Sequence, residues 1–84
     1  MIKEFLVQFK LDGEVVQSLM KPNALIKFLD MLDCTDVTEY RIFFSPEFGV
    51  MREARYSGWQ MYNTIAVTDT VTGEIVAYGH GTDH

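Results

Sequence analysis

The last seven residues of the chain, YGHGTDH, contain both histidines of the protein and an aspartate: His80, Asp83 and His84. Neutral imidazoles and a carboxylate are ligands for zinc and similar metals, and such a site could serve a small metal-dependent hydrolase. Glycines flank His80 on both sides, so no rigid scaffold holds the three groups before a metal binds. We therefore predict that residues 80–84 form a C-terminal tail, with a weak metal site as the alternative and no resident cofactor.

A group of carboxylates, Asp30, Asp33 and Asp36, lies near the end of a predicted helix. Negative charges at a helix C-terminus interact unfavourably with the helix dipole, so a cationic group is expected to pair with them. The spacing does not fit a calcium-binding EF-hand loop, which needs ligands at alternate positions and a central glycine. We predict a solvated helix end, with a basic protein surface as the alternative.

The segment of residues 52–62 combines arginines with aromatic side chains: Arg52, Arg55, Tyr56, Trp59 and Tyr62. These residue types supply binding hot spots at protein interfaces, and they also stack on unpaired bases. Within one chain they form cation–π pairs instead. We expect intramolecular packing first, a protein interface second, and base stacking or a small ligand third. In a helix, Arg52, Tyr56 and Trp59 would share one face.

The remaining nucleophiles do not predict catalysis. Ser57 lies in RYSGW, which is not the G-x-S-x-G elbow that exposes a nucleophilic serine. Cys34 lies at the expected C-terminal end of a helix and between Asp33 and Asp36, where a thiolate is disfavoured. We predict no catalytic residue and a protein that is not an enzyme.

The elements that must position these residues begin with a β-hairpin over residues 2–20. Apolar residues alternate with polar ones, and Asp12-Gly13 forms a two-residue turn. The turn predicts the cross-strand pairs Leu11–Glu14, Phe9–Val16 and Phe5–Met20. The opposite face of this hairpin carries Leu6, Val15 and Leu19, which is more apolar than a solvated face requires.

The rest of the chain predicts at least one helix and several strands. Apolar residues recur at three- and four-residue steps over residues 21–33, which indicates a helix. Residues 46–56 predict a short second helix, with an extended or looped alternative. Strands are predicted over residues 38–44, 60–68 and 74–79. The expected fold is α+β, a two-layer arrangement of a mainly antiparallel four- to five-stranded sheet and one or two helices, in the order β-β-α-β-(α)-β-β.

Length and charge limit the function. The 84 residues predict a single small domain over residues 1–84, and seven basic against twelve acidic side chains give a net charge of −5. An acidic chain is unsuited to nucleic acid, because phosphate neutralisation supplies most of that affinity. No run of eighteen apolar residues predicts a membrane span, so we expect no membrane partner and a cytoplasmic protein.

These observations favour a small acidic, non-enzymatic protein-interaction domain, whose partner is another protein or a second copy in a homodimer. The main reason is the apolar surface left on the first hairpin, which a single helix cannot cover. The alternative is binding of single-stranded nucleic acid or a small ligand through residues 52–62. A third hypothesis is the metal-dependent hydrolase built on His80, Asp83 and His84.

Overall fold

The computed structural model of the protein describes residues 4–58 and 64–81. Within them, one α-helix and a short 3-10 helix accompany six strands. In chain order the elements are β1 (Phe5–Leu11), β2 (Glu14–Met20), α1 (Pro22–Asp30), the 3-10 helix (Leu32–Cys34), β3 (Val37–Phe44), β4 (Arg52–Gly58), β5 (Thr64–Asp69) and β6 (Ile75–His80). The α+β class and the antiparallel character of the sheet are therefore confirmed.

The first hairpin has the predicted turn and register. Asp12 and Gly13 adopt φ angles of 52° and 83°, which a two-residue primed turn requires at both central positions. Strands β1 and β2 pair as predicted, with Leu11 opposite Glu14, Phe9 opposite Val16 and Phe5 opposite Met20. The sequence pattern thus determines which side chains of this hairpin point to each face of the sheet.

The sheet has six antiparallel strands in the order β2-β1-β3-β4-β5-β6, so the predicted count of four to five strands was wrong. The additional strand is β4, which lies in the centre between β3 and β5. Strands β2 and β6 form the two edges. Every connection other than the one through α1 joins neighbouring strands, because short loops favour antiparallel neighbours.

The predicted second helix over residues 46–56 is also wrong, and the extended alternative applies from Arg52 onward. Gly49 adopts φ 81° in the connection after β3, a conformation that an α-helix cannot contain. Ala54 is buried between Ile42 of β3 and Asp69 of β5, so backbone pairing on both sides outweighs the helix-start signal of Ser45-Pro46-Glu47.

Helix α1 covers one face of the sheet and creates the core there. Leu25, Ile26 and Leu29 of α1 are buried against the sheet. The sheet contributes an alternating set of buried residues from five strands: Phe5, Val7, Ile42, Phe44, Ala54, Ile65, Val67 and Ala77. Phe28 extends this packing, with its ring centroid 5.1 Å from that of Phe9 and 6.4 Å from that of Tyr40. This face is the helix-covered face of the sheet.

The start and end of α1 differ from the prediction in detail. The helix begins at Pro22, whose fixed φ suits a first helical turn, and Lys21 is the N-cap residue. The regular helix ends at Asp30, and the predicted range to residue 33 continues as the 3-10 turn. None of the helices in residues 4–58 and 64–81 has the length and apolarity needed to cross a membrane.

Close packing of α1 on β6 depends on Gly79. A Cβ atom added at Gly79 would lie 2.9 Å from Cγ2 of Ile26, a branched side chain that is held in the core. We expect Gly79→Ala to lower the free energy of unfolding by about 1–3 kcal/mol, because the helix must shift to accommodate the methyl group. Urea unfolding measures this loss. In an Ile26→Ala background the same substitution should cost clearly less, and an equal cost in both backgrounds would contradict the contact.

Candidate functional site

The face of the sheet opposite α1 is called the open face. Its side chains alternate with the core residues along each strand, as the strand registers require. In the four strands nearest the β2 edge the open face consists of Val15, Gln17, Leu19, Leu6, Gln8, Lys10, Glu39, Arg41, Phe43, Glu53, Arg55 and Ser57.

An apolar row runs across three strands of the open face. Leu6 pairs with Leu19 on one side and with Phe43 on the other. Leu19 is 68% exposed and Val15, further along β2, is 59% exposed, while Leu6 and Phe43 are partly exposed. Leu6, Val15 and Leu19 are the surplus apolar residues predicted from the hairpin pattern, and α1 lies on the other side of the sheet from them.

Arg41 and Glu53 form a charged pair beside this row. The Arg41 guanidinium donates two hydrogen bonds to the Glu53 carboxylate, 3.1 Å from Nε to Oε2 and 2.9 Å from Nη2 to Oε1. The same guanidinium carbon lies 5.0 Å from the centroid of the Phe43 ring. The hydrogen bonds from Arg41 hold the pKa of Glu53 below its usual value, and those to Glu53 raise the pKa of Arg41. The pair fixes a planar cation against an aromatic ring.

The balance of basic and acidic residues on the open face differs from that of the whole chain. Lys10 Nζ lies 3.4 Å from Glu39 Oε2, and Arg55 is exposed between β3 and β5. On these four strands the open face thus carries three basic residues, Lys10, Arg41 and Arg55, against two acidic ones, Glu39 and Glu53. A chain with a net charge of −5 therefore carries its excess of acid elsewhere.

The helix-covered face ends in a partly buried ion pair at the β5–β6 turn. Asp69 is 3% exposed, and its Oδ2 lies 3.5 Å from Nη2 of Arg52. Its Oδ1 accepts a hydrogen bond of 2.9 Å from the Val71 N–H. Burial raises the pKa of Asp69, but the hydrogen bonds from Val71 and Thr72 and the charge of Arg52 outweigh burial, so the pKa lies below its ordinary value. This arrangement orders the turn and pins β4 to β5.

The structure divides the arginine–aromatic segment between the two faces of the sheet. Arg52 and Tyr56 lie on the helix-covered face, where Tyr56 packs against the core and Arg52 pairs with Asp69. Arg55 lies on the open face, because alternate residues of a strand point to opposite sides. Residues 52–58 form a strand, so the helical arrangement is wrong, although strand alternation still places Arg52 and Tyr56 on one face. Trp59 and Tyr62 lie outside the described residues.

Tyr40 lies on the helix-covered face of the sheet, beside Phe28. Burial, with a smaller contribution from Tyr56, raises the pKa of Tyr40. Its hydroxyl therefore stays protonated through the physiological range. Tyr40 and Tyr56 act here as packing residues, as the intramolecular interpretation of the segment predicted for Tyr56.

The fold does not bring the three carboxylates of Asp30, Asp33 and Asp36 together in one site. Asp33 lies in the 3-10 turn and Asp36 in the connection to β3, and both are exposed. Asp30 lies at the end of α1 and lines a recess between α1 and β6 together with Lys27, Tyr78 and His80. The structure thus places Asp30 and His80 at the same recess, which no spacing in the sequence indicated.

The predicted C-terminal tail is corrected at its first residue, since His80 is the last residue of β6 and pairs with Thr64. Asp83 and His84 lie outside the described residues. Over the ranges 4–58 and 64–81, the structure contains no group of three or more histidines, cysteines, aspartates or glutamates that could hold a metal ion. Cys34 is an exposed free thiol.

Sequence reasoning missed Phe43 as a surface aromatic residue. In β3, Ile42 and Phe44 are buried in the core and Tyr40 packs against it from the same face. Strict alternation then places Phe43 and Arg41 on the other side, so the signal was present in the period of two. Comparison with protein-family models, curated proteins and solved structures finds no match to this chain.

Proposed function

We propose that the protein is a non-enzymatic interaction domain that binds a folded protein partner through the open face of its sheet. The observation that carries this proposal is the apolar row of Leu19, Leu6 and Phe43, which stays at the surface although the sheet has a well-packed core on its other side. Exposed apolar and aromatic groups arranged side by side are typical of recognition surfaces.

The surroundings of the row support a protein partner. Arg and aromatic residues dominate interface hot spots, and Arg41 is already held against Phe43 by Glu53, so little conformational freedom is lost on binding. Arg55 adds an exposed cation on the same face. We expect the partner to present an apolar patch with at least one acidic group at its rim. Arg55 is the residue of the predicted segment that this proposal retains for contact.

A cytoplasmic location belongs to the same proposal. Cys34 is an exposed thiol, and exposed thiols persist in compartments that are kept reducing. The acidic group of Asp30, Asp33 and Asp36 is placed second, as a basic-partner surface that is separate from the open face.

Substitution on the open face tests the proposal. Phe43→Lys should weaken binding of the partner at least tenfold, because it removes the aromatic ring from the row and places a charge beside Arg41. The matched control is Phe48→Lys, since Phe48 is a fully exposed phenylalanine in the loop between β3 and β4. The wild-type protein and both variants are used as baits in extracts of the native host, and the captured partner is then purified and titrated by calorimetry.

The proposal requires that purified partner binds the wild type and Phe48→Lys with equal affinity and Phe43→Lys at least tenfold more weakly. Equal binding of all three proteins would contradict it. Loss of binding in Phe48→Lys alone would assign recognition to the loop instead of the open face.

A further inference from the structure

We infer that strand β2 is a self-complementary edge, and that two copies of the chain pair through it in antiparallel fashion with Gln17 on the two-fold axis. This inference goes beyond the proposed function, because it names a second copy of the chain as a partner in addition to the protein bound by the open face. It differs from that function in the surface used, because the edge of the sheet pairs through its backbone and the open face binds through side chains.

The backbone of β2 presents a fixed set of groups at its outer edge, where no other strand of residues 4–58 and 64–81 pairs with it. Residues that flank a two-residue hairpin turn exchange hydrogen bonds, and such pairs then alternate along an antiparallel ladder. Leu11 and Glu14 flank the turn, so Glu14, Val16, Ser18 and Met20 bond to β1. The N–H and C=O groups of Val15, Gln17 and Leu19 therefore point away from β1, at the outer edge of the sheet.

Three free residues at a spacing of two allow one register that uses all of them. Gln17 then faces Gln17 of the second copy, while Val15 faces Leu19 and Leu19 faces Val15. Each pair exchanges two backbone hydrogen bonds, so the junction contains six. Any other register of the same strands leaves at least one of the three residues unpaired. The arrangement is a closed two-fold dimer, because the same surface is used by both copies.

The side chains agree with this register. Val15 and Leu19, both more than half exposed, would pack directly against each other across the junction on the open face. The charges agree as well, since Asp12 precedes the strand, Glu14 begins it and Lys21 follows it. Antiparallel pairing brings the acidic start of one strand beside the basic end of the other, whereas parallel pairing would place like charges together.

Strand β2 also lacks the features that protect edge strands from pairing. It has no proline, no lysine and no glycine, and its pairing with β1 is continuous over seven residues. The other edge, β6, contains Gly79 and an irregularity in its pairing with β5 at Val67 and Thr68. Pairing of β2 with β6 of another copy would leave free edges and produce open chains, and the closed β2 dimer is the arrangement that the side chains favour.

The inferred dimer has a small contact area, because it joins two short strands. Interfaces at the lower end of the size range bind weakly, so a dissociation constant in the range of roughly 1–100 µM is expected. Sedimentation equilibrium of the whole chain from about 5 µM to about 500 µM should therefore show a monomer–dimer equilibrium without larger species.

Two substitutions at one position test the role of the backbone. Gln17→Pro removes the N–H that faces the free edge and leaves the β1 ladder intact, so it should be monomeric at every concentration. Gln17→Ala keeps the N–H and should dimerise like the wild type. Circular dichroism checks that both variants are folded. Dimerisation of a folded Gln17→Pro protein would overturn the inference. A wild-type protein that stays monomeric up to about 500 µM in sedimentation equilibrium would also overturn it.

A charge exchange tests the register and does not depend on proline. A Val15→Lys/Leu19→Lys variant places lysine opposite lysine and should be monomeric, and so should Val15→Glu/Leu19→Glu. An equimolar mixture should form a heterodimer, because each lysine then faces a glutamate. A mixture that stays monomeric would refute the register. If Phe43→Lys still abolishes binding of a different protein, only the dimer fails and the proposed function stands.

Discussion

Phe44→Ala is expected to lower the free energy of unfolding by about 3–5 kcal/mol, whereas Phe43→Ala should change it by less than about 1.5 kcal/mol. The two phenylalanines are neighbours in β3 and point to opposite faces of the sheet. Phe44 is 2% exposed, with its ring centroid 6.2 Å from that of Phe5, so truncation leaves a cavity in the core. Phe43 lies at the surface against Arg41.

Urea unfolding of the two variants measures this difference, with the slope of the transition as a check on the two-state assumption. A domain of this size has a total stability of roughly 5–10 kcal/mol, so Phe44→Ala should remove a large part of it. Equal losses in the two variants would mean that Phe43 is a core residue, and the open face would then lose its aromatic member.

Asp69→Ala is expected to lower the midpoint of thermal unfolding by roughly 5–10 °C at pH 7. The substitution leaves Arg52 without its carboxylate and removes the acceptor for the Val71 N–H at the β5–β6 turn. Asp36→Ala is the matched control, because Asp36 is an exposed carboxylate in the connection before β3 and should change the midpoint very little. Differential scanning calorimetry provides the comparison.

The pH dependence of the Asp69 effect has a definite sign. The pKa of Asp69 is lower in the folded protein than its ordinary value. Its ionised form therefore stabilises the fold fully above the unfolded pKa of about 3.9, and this contribution is lost as the pH falls through the folded pKa. The difference in the midpoint of thermal unfolding between the wild type and Asp69→Ala should be constant from about pH 5 to pH 7 and should shrink below about pH 4. A gap that widens in acid would contradict the ion pair.

The first half of the fold could be predicted from local patterns. The Asp12-Gly13 turn, the alternation in β1 and the apolar stripe of α1 each have one structural solution, and they fixed the hairpin register and the residues of the helix that are buried. The face of Leu6, Val15 and Leu19 followed directly, because alternation in a strand with one buried face determines the other face.

The second half could not be predicted in the same way, since residues 45–58 carry conflicting signals. Pro46 after Ser45 indicates a helix start, while Gly49 and the alternation of Ala54 with its neighbours favour a turn followed by a strand. Pairing with β3 and β5 decides between them, and such long-range pairing cannot be predicted from a short stretch of sequence. The Arg52–Asp69 ion pair depends on the same pairing, and the recess shared by Asp30 and His80 depends on the packing of α1 on β6, so the candidate site could be predicted only in part.

The central claim is that the open face binds the partner, and methyl resonances of the isotope-labelled protein test it most directly. Leu6, Val15 and Leu19 carry methyl groups on the open face, while Leu25 and Val67 carry them in the core beneath α1. Titration with the purified partner should shift the first set and leave the second unchanged. Shifts confined to residues of α1 or to the recess beside His80, with Leu6 and Leu19 unaffected, would contradict the claim.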